Sequence, residues 1–433
     1  MIIAYICRKA KNFFLFLLTL SSIMDKKGGM SLVVGIIGAG ASGMAAALTA
    51  AKNENVHVLL FERQARVGKK LLATGNGRCN LSNSHATGSS YHGNDASFAS
   101  FALEKYNVEY TLKWFEDMGL YTVEEPSGRI YPYSDQANSV VDVLRFALDK
   151  PNIQLLTGFE ITKVRKNASG FTVENGTEPF YCDKLIVACG GLAGTKLGGS
   201  MFGYKLLMKL GHHCTKLRPT LVQIKANWPN CAALKGVRAN CNAQILCDDK
   251  LHAASNGEIQ FTEYGLSGPV IFEISRDVCT SSGKWICNLD LLPDLQMDDL
   301  MRYLQQKRNT NLQAEDLLTG ILHNRLGRVV TKEAGVSLHA PIRMLEDWEL
   351  ENVCHMAKSL QIPLEEPMGM DSAQVTAGGI YTEEFDSHTM ESRIVPGLYA
   401  CGEVLDIDGD CGGYNLQWAW SSGYCAGEAA GKE

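Results

Sequence analysis

The chain has 433 residues, enough for two or three domains, and is 45% hydrophobic and 20% charged, the balance of a globular protein with a large core. A net charge of −6 argues against a nucleic-acid-binding surface. Its 14 cysteines form no CxxC pair and sit in apolar settings such as Cys189, Cys401 and Cys425, which speaks for reduced, buried thiols over disulfides or a zinc knuckle.

Residues 1–31 are expected to lie outside the fold. Phe13 to Leu20 is an apolar run behind Arg8, Lys9 and Lys11, like a short signal sequence, but no A-x-A cleavage site follows. The run is too short to span a bilayer. Met24 and Met30 stand just before the first strand, so a mis-assigned start or a disordered extension is favoured over a secretory signal. The expectation is a cytoplasmic protein without a membrane anchor.

Val33 to Ile37 reads as a buried strand running into Gly38-Ala39-Gly40-Ala41-Ser42-Gly43 and an Ala-rich helix from Met44. Gly38 permits the tight turn, Gly40 lets the backbone approach a pyrophosphate, and Gly43 allows close helix–strand packing. The helix N-terminus then offers N–H groups and a positive dipole end to phosphates. A second strand, Val56 to Phe61, ends at Glu62, 19 residues beyond Gly43, where an acid suits a ribose hydroxyl pair. The plainer reading is a glycine turn that packs a helix on a sheet; it leaves Glu62 without a role.

The loop Arg63 to Asn83 is rich in glycine, basic and small polar residues, and Thr74 to Asn80 holds little that would fill a core, so it is read as wrapping the anionic cofactor. Helical periodicity follows over 98–118 and 138–148, with Ser127 to Pro132 between them as a turn and a short strand. Strand-like segments lie at 154–156, 160–164 and 170–173. Leu185 to Ala188 is a buried strand ending in Cys189-Gly190-Gly191, which sets Ala188 and Gly190 beside the nucleotide. Thr195 to Tyr204 continues the glycine-rich theme, and Lys205 to Met208 looks helical.

From Pro219 the texture changes to alternating strands at 221–226, 236–246 and 284–291. Phe261-Thr262 and Val270 to Phe272 read as strands joined by the glycine turn Glu263 to Pro269, which either faces the cofactor or is a tight turn of the β-domain. The expected organisation is a cofactor domain over 32–218, an inserted β-rich substrate domain over 219–370 with a helical insert at 292–336, and the rest of the cofactor domain over 371–433, resumed by Val375 to Ile380.

Leu398 to Glu403 is an apolar strand ending in Gly402-Glu403. Many flavoproteins end a late strand in Gly-Asp, whose carboxylate holds a ribityl hydroxyl; Glu403 would act with a longer arm. Asp406, Asp408 and Asp410 mimic a calcium loop, but Gly409 precedes Asp410 and no glutamate closes the loop, so no metal is expected. Gly412-Gly413-Tyr414-Asn415 then opens a helix whose N-terminus suits the flavin's pyrimidine edge.

These segments carry a resemblance. Gly-Ala-Gly-Ala-Ser-Gly at 38–43, the run from Lys69 to Asn83, Thr-Ala-Gly-Gly-Ile at 376–380, Gly-Glu-Val-Leu-Asp at 402–406 and Gly-Gly-Tyr-Asn-Leu-Gln at 412–417 resemble the BaiN-type family of bacterial NAD(P)/FAD-dependent oxidoreductases over residues 32–430. The resemblance implies an α/β fold: a Rossmann-like FAD domain of glutathione-reductase type, three-layered around a parallel sheet, with an inserted β-barrel-like domain carrying a helical insert. It implies FAD contacts at Gly38, Gly40, Ala41, Ser42, Gly43, Glu62, Arg63, Lys70, Thr74, Gly75, Arg78, Cys79 and Asn80. Ile161 would meet the adenine by its backbone, and Gly402, Glu403, Gly413, Tyr414, Asn415 and Leu416 would line the ribityl chain and the flavin. The family's name-giving member is linked to reduction of carbon–carbon double bonds in oxo-bile acids.

The expected chemistry is reduction of FAD by NAD(P)H, then hydride transfer to an electron-poor small molecule such as an enone. With one dinucleotide fingerprint only, NAD(P)H would dock transiently. Tyr131, Tyr133 and Tyr414 are candidate proton donors, with Arg129 as an anion-holding partner, though each tyrosine by itself reads more readily as an ordinary half-buried ring with a satisfied hydroxyl. Cys79 and Cys189 read as packed thiols. The alternatives are a flavin oxidase using dioxygen, or a flavin-binding protein in RNA modification or regulation. Neither a nucleic-acid nor a membrane partner is expected, and the oligomeric state is left open.

Overall fold

The computed structural model describes residues 32–432. The leader-like segment and the question of the start codon lie outside the described residues. The chain divides into two compact units, one of residues 32–217 with 378–432, the other of residues 218–377.

The first unit is built on a parallel sheet. Its strands β1 (Leu32–Ile37), β2 (Val56–Glu62), β3 (Ile153–Thr157), β4 (Lys184–Val187) and β5 (Leu398–Ala400) lie in the order β5–β4–β1–β2–β3. A parallel sheet is covered on both faces, which is why β1, β2 and β4 read as continuous apolar runs rather than alternating ones. This is the Rossmann-like arrangement expected from the sequence. Between β3 and β4 the chain makes a separate antiparallel sheet from Lys163–Lys166, Phe171–Glu174 and Pro179–Cys182.

Two helices join the ends of the sequence. The helix α1 (Ala41–Ala50) follows β1, and α2 (Tyr414–Ala430) packs against it. They approach backbone to backbone: a Cβ on Gly427 would sit 2.3 Å from the Ala46 carbonyl oxygen. Trp418, Trp420 and Tyr424, all on α2, are buried, so this helix lies inside the unit rather than on its surface. The periodicity over 98–118 resolves into two helices, Ser100–Lys105 and Val108–Asp117. The break falls where the Asn107 side chain accepts the Tyr110 N–H at 2.9 Å and starts the second helix afresh.

The second unit is a closed six-stranded barrel. Around the barrel run Ile224–Ala226, Gly265–Ser267, Lys250–Phe261, Arg238–Cys247, Trp285–Asp290 and Leu360–Pro367, all antiparallel. Closure leaves no strand edge to template aggregation. Three readings are corrected here. Val270 to Phe272 is not a strand but part of the helix Pro269–Thr280, because Gly268-Pro269 places proline at the helix start and residues 270, 271, 274 and 278 bury one face. The helical segments extend past residue 336, through Asn324–Glu333 to Asp347–Lys358. Val375–Ala377 pairs with Arg218–Thr220 inside the second unit, so the return to the first unit falls at Gly378 rather than at 371.

Candidate functional site

The first glycine signature sits where β1, β2 and β4 end. Gly38 donates its N–H to the Phe61 carbonyl at 2.8 Å and has φ +104°, and a Cβ there would lie 2.4 Å from the Ala188 carbonyl oxygen. A Cβ on Gly43 would meet the Gly38 oxygen at 1.8 Å, so α1 can start this close to β1 only without a side chain at that position. Gly40 and Gly190 instead face open space, with nothing within 4 Å of a built Cβ. Two positions are thus set by packing, and two leave open space, Gly40 doing so at the N-terminus of α1 next to Ala41 and Ser42. Glu62 closes the end of β2: its carboxylate accepts the Ala39 N–H at 2.9 Å and the Gln64 N–H at 2.8 Å. The Phe159 N–H bonds the Glu62 carbonyl at 2.9 Å, which brings buried Ile161 to the same corner.

The basic loop coils tightly. Gly75, Asn76, Gly77 and Cys79 all have positive φ, and the Cys79 N–H closes the turn on the Thr74 carbonyl at 2.9 Å. Its side chains are largely committed to protein. Thr74 donates its hydroxyl to the Leu71 carbonyl at 2.7 Å, and Arg63 bonds the Gly198 carbonyl. Lys70 Nζ meets Glu403 Oε2 at 2.8 Å. Arg78 reaches Glu125 at 2.8 Å and Asp135, with its guanidinium 3.9 Å above the Tyr131 ring; those hydrogen bonds hold its pKa above the ordinary value. Arg78 therefore fastens the loop to the strand Arg129–Pro132 and the turn beyond it. Burial pushes the Cys79 thiol up to about 11 and that of Cys189 up to about 12, so both are packed, protonated thiols. The Asn80 amide oxygen is buried without a partner.

The second signature comes back to this place. Gly402 lies beside Ser42, whose Oγ would be 2.6 Å from a Cβ there. Its N–H bonds Ser422 Oγ at 3.0 Å, and its carbonyl accepts Trp418 Nε1 at 3.2 Å. Asn83 Nδ2 donates to the Gly412 carbonyl at 2.8 Å, and Ser82 Oγ donates to Gln417 Oε1 at 2.6 Å. Gly413, at φ +105°, starts α2 with no side-chain cap, and a Cβ on it would strike the Ser82 carbonyl at 2.2 Å. Asn415 folds back to hold Gly409, accepting its N–H at 2.9 Å and donating to its carbonyl at 2.7 Å; Leu416 follows, partly buried. Residues 38–43, 62–83 and 402–416 thus meet within one unit.

The candidate proton donors separate. Tyr131 is buried beneath Arg78, and burial raises its pKa. Tyr133 is 77% exposed. Tyr414 accepts the Tyr91 hydroxyl at its carbonyl (3.0 Å), and the two rings meet edge-on at 6.4 Å. Arg129 Nε comes within 2.8 Å of a Cβ built on Gly412. Tyr91 and His92 belong to no sequence motif, and Asp410 enters the sequence reading only through the rejected calcium loop. Tyr91–His92 pairs with Asp408–Gly409, and His92 Nε2 meets Asp410 Oδ1 at 2.8 Å. In the second unit, Gly265–Ser267 of the glycine-rich turn is itself a barrel strand. Among the described residues no group of three or more His, Cys, Asp or Glu is gathered to hold a metal, and no helix is long and apolar enough to cross a membrane.

The family model described as HI0933-like protein Rossmann domain matches residues 32–429. The 3-dehydro-bile acid delta(4,6)-reductase of Clostridium scindens is 38% identical over 407 residues, covering 92% of this chain and 98% of that protein. The ribosomal RNA dihydrouridine synthase of Escherichia coli is 31% identical over 399 residues, covering 90% of this chain and 96% of that protein. Among solved structures, a flavocytochrome c3 fumarate reductase aligns with 95% of this chain and 80% of its own at 15% identity and a TM-score of 0.48. The chain belongs to the HI0933-like Rossmann family.

Proposed function

We propose that this protein uses bound FAD to reduce a carbon–carbon double bond conjugated to a carbonyl in a small molecule, with NAD(P)H as the transient electron donor. The observation that carries the reading is the meeting of residues 38–43, 74–83 and 402–416 in one place. The residues fit the cofactor: Gly40 and Gly190 leave open space beside their backbones, and α1 and α2 both begin without side-chain caps. The diphosphate would rest on Gly40 to Gly43, the ribose on Glu62, and the adenine along the backbone of Ile161. Glu403, steadied by Lys70, would hold the ribityl chain, and Gly413 to Leu416 would face the pyrimidine edge. Arg78 has a different part, keeping the Thr74 to Asn80 loop in shape from behind.

FAD, when bound and reduced by the nicotinamide donor, would supply the hydride. The chain's own share is to seat the substrate, hold the carbonyl as negative charge develops, and deliver a proton. Arg129, on its own short strand but beside Gly412 just ahead of α2, suits the second task. The names of the two relatives share one reaction type, the addition of hydrogen across a double bond conjugated to a carbonyl, and the relative named for bile acids has the higher identity. A second reading, reduction of uridine in ribosomal RNA, is favoured by relatives of that name at 31% and 29% identity; the net charge of −6 weighs against it.

The test is anaerobic. Holoprotein is bleached at the flavin band with NADH or NADPH, then mixed with an unsaturated 3-oxo bile acid or with unmodified ribosomal RNA. Reoxidation by the bile acid with a two-hydrogen gain in product mass supports the leading reading. Reoxidation by the RNA alone moves the assignment to the second. Reoxidation by dioxygen only, with peroxide release, replaces both with an oxidase.

A further inference from the structure

We infer that His92, held by Asp410, is the group that protonates the substrate carbon next to the carbonyl. The inference rests on the reductase reading above. The two residues stand 318 positions apart in sequence yet meet at 2.8 Å, His92 Nε2 to Asp410 Oδ1. Their setting is more elaborate than a surface ion pair needs. Tyr91–His92 and Asp408–Gly409 form a two-stranded ladder, and the Asp410 N–H bonds the Ser90 carbonyl at 3.0 Å. Asn415, from the first turn of α2, donates to the carbonyls of Gly409 and Asp410 at 2.7 and 3.3 Å. Asp410 is therefore fixed to the same helix start that bears Gly413, and His92 is fixed to Asp410. The imidazole side chain keeps 33% of its surface exposed, so a ligand can reach it, whereas Tyr131 is 94% buried under Arg78.

The chemistry follows from the geometry. Hydride adds to the β-carbon, the π bond breaks, and its electron pair moves through the α-carbon onto the carbonyl oxygen as an enolate. The enolate then takes a proton at the α-carbon from the imidazolium. Asp410 engages Nε2, so the proton leaves from Nδ1 and is replaced from solvent. A carboxylate that orients the ring and balances its charge is the usual way a histidine is kept ready for such transfer.

The test separates the proton from the hydride. Oxidised holoprotein is incubated with a saturated 3-oxo bile acid in D2O, and α-deuteration is followed by NMR, a reaction that needs no electron transfer. Wild type is expected to exchange faster than buffer, with H92Q slower by about 100-fold and D410N by about 10-fold. Added imidazole is expected to restore exchange in H92G, a rescue that a purely structural histidine would not show. Circular dichroism and the bound-flavin spectrum confirm that each variant is folded and loaded. Exchange in H92Q at the wild-type rate, or no exchange above buffer in the wild type, overturns the assignment. Failure of the reductase reading shows separately, as reduced wild-type flavin that the unsaturated 3-oxo acid does not reoxidise.

Discussion

Glu384 grips the fully buried His212 imidazole, Oε2 to Nδ1 at 2.9 Å, while its other oxygen takes the exposed ring of His213. His212 Nε2 faces Ser392 Oγ at 3.0 Å, and the ring stacks on Phe385 at 4.6 Å. Burial lowers the His212 pKa below its ordinary 6.5, and Glu384 offsets only part of that. Burial pushes Glu384 up, but the hydrogen bonds from His213 and His212 outweigh it and leave its carboxyl below the ordinary range. The folded state therefore disfavours a proton on His212 that the unfolded chain accepts. Stability is expected to fall as pH drops below about 6.5 towards the lower folded value, with a second loss at more acid pH as Glu384 protonates. Urea unfolding at pH 7.5, 6.5 and 5.5 checks this, and H212Q should flatten the first part of the slope.

Gly43 and Gly40 are two residues from a matched experiment. G43A places a methyl 1.8 Å from the Gly38 carbonyl oxygen and should cost roughly 1–3 kcal/mol of stability. G40A points into open space and should change stability by no more than about 0.5 kcal/mol. Both should weaken FAD binding, the first through the fold and the second by crowding the diphosphate. Thermal melts of the apoproteins beside FAD titrations separate the two effects.

Gln417 is fully buried and satisfied: it accepts from Ser82 and donates to the Tyr106 carbonyl, Thr111 and Ser421. Q417L keeps the volume but strips partners from several buried groups. A loss of about 2–4 kcal/mol is expected, on the scale of one to three per orphaned group. Equal unfolding midpoints for wild type and Q417L would contradict this network's role.

Arg78 is part-exposed, so its bonds to Glu125 and Asp135 add about 1 kcal/mol at most to global stability. Its effect should appear locally. R78A is expected to retain the fold but lose FAD affinity by about 10-fold, because the loop from Thr74 to Asn80 loses its tie to Tyr131. R78K should recover little, since an ammonium cannot span both carboxylates and lie flat on the ring. Fluorescence titration with FAD at low and high salt measures both.

The parts of the fold that were legible are those where one short segment states its own geometry. Gly38 to Gly43 with Glu62 is such a segment, since turn, packing and acid fall within a single strand–helix–strand unit. Lys250–Phe261 was missed because small and polar residues such as Ala253, Ser255 and Gly257 make its alternation faint; its pairing with Arg238–Cys247 defines it as a strand. Val270 to Phe272 looked β-like by composition, and only the proline at the helix start and the 3.6-residue burial rhythm decide otherwise. The ties of Arg78 to Glu125 and Asp135 are not legible in the sequence, because those partners lie about 50 residues on and leave no local trace. His92 was invisible for the same reason, its partner lying at the far end of the chain.

The crossing of α1 with α2 fixes when the two glycine signatures can meet. During synthesis β1, α1 and β2 emerge first, but the sheet lacks its outermost strand until residues 398–400 appear, and α1 stays uncovered until residues 414–430 have left the ribosome. The packed pair of helices is thus complete only at the end of synthesis, and a chain stopped short of α2 would carry an intact glycine turn without the helix that packs against it.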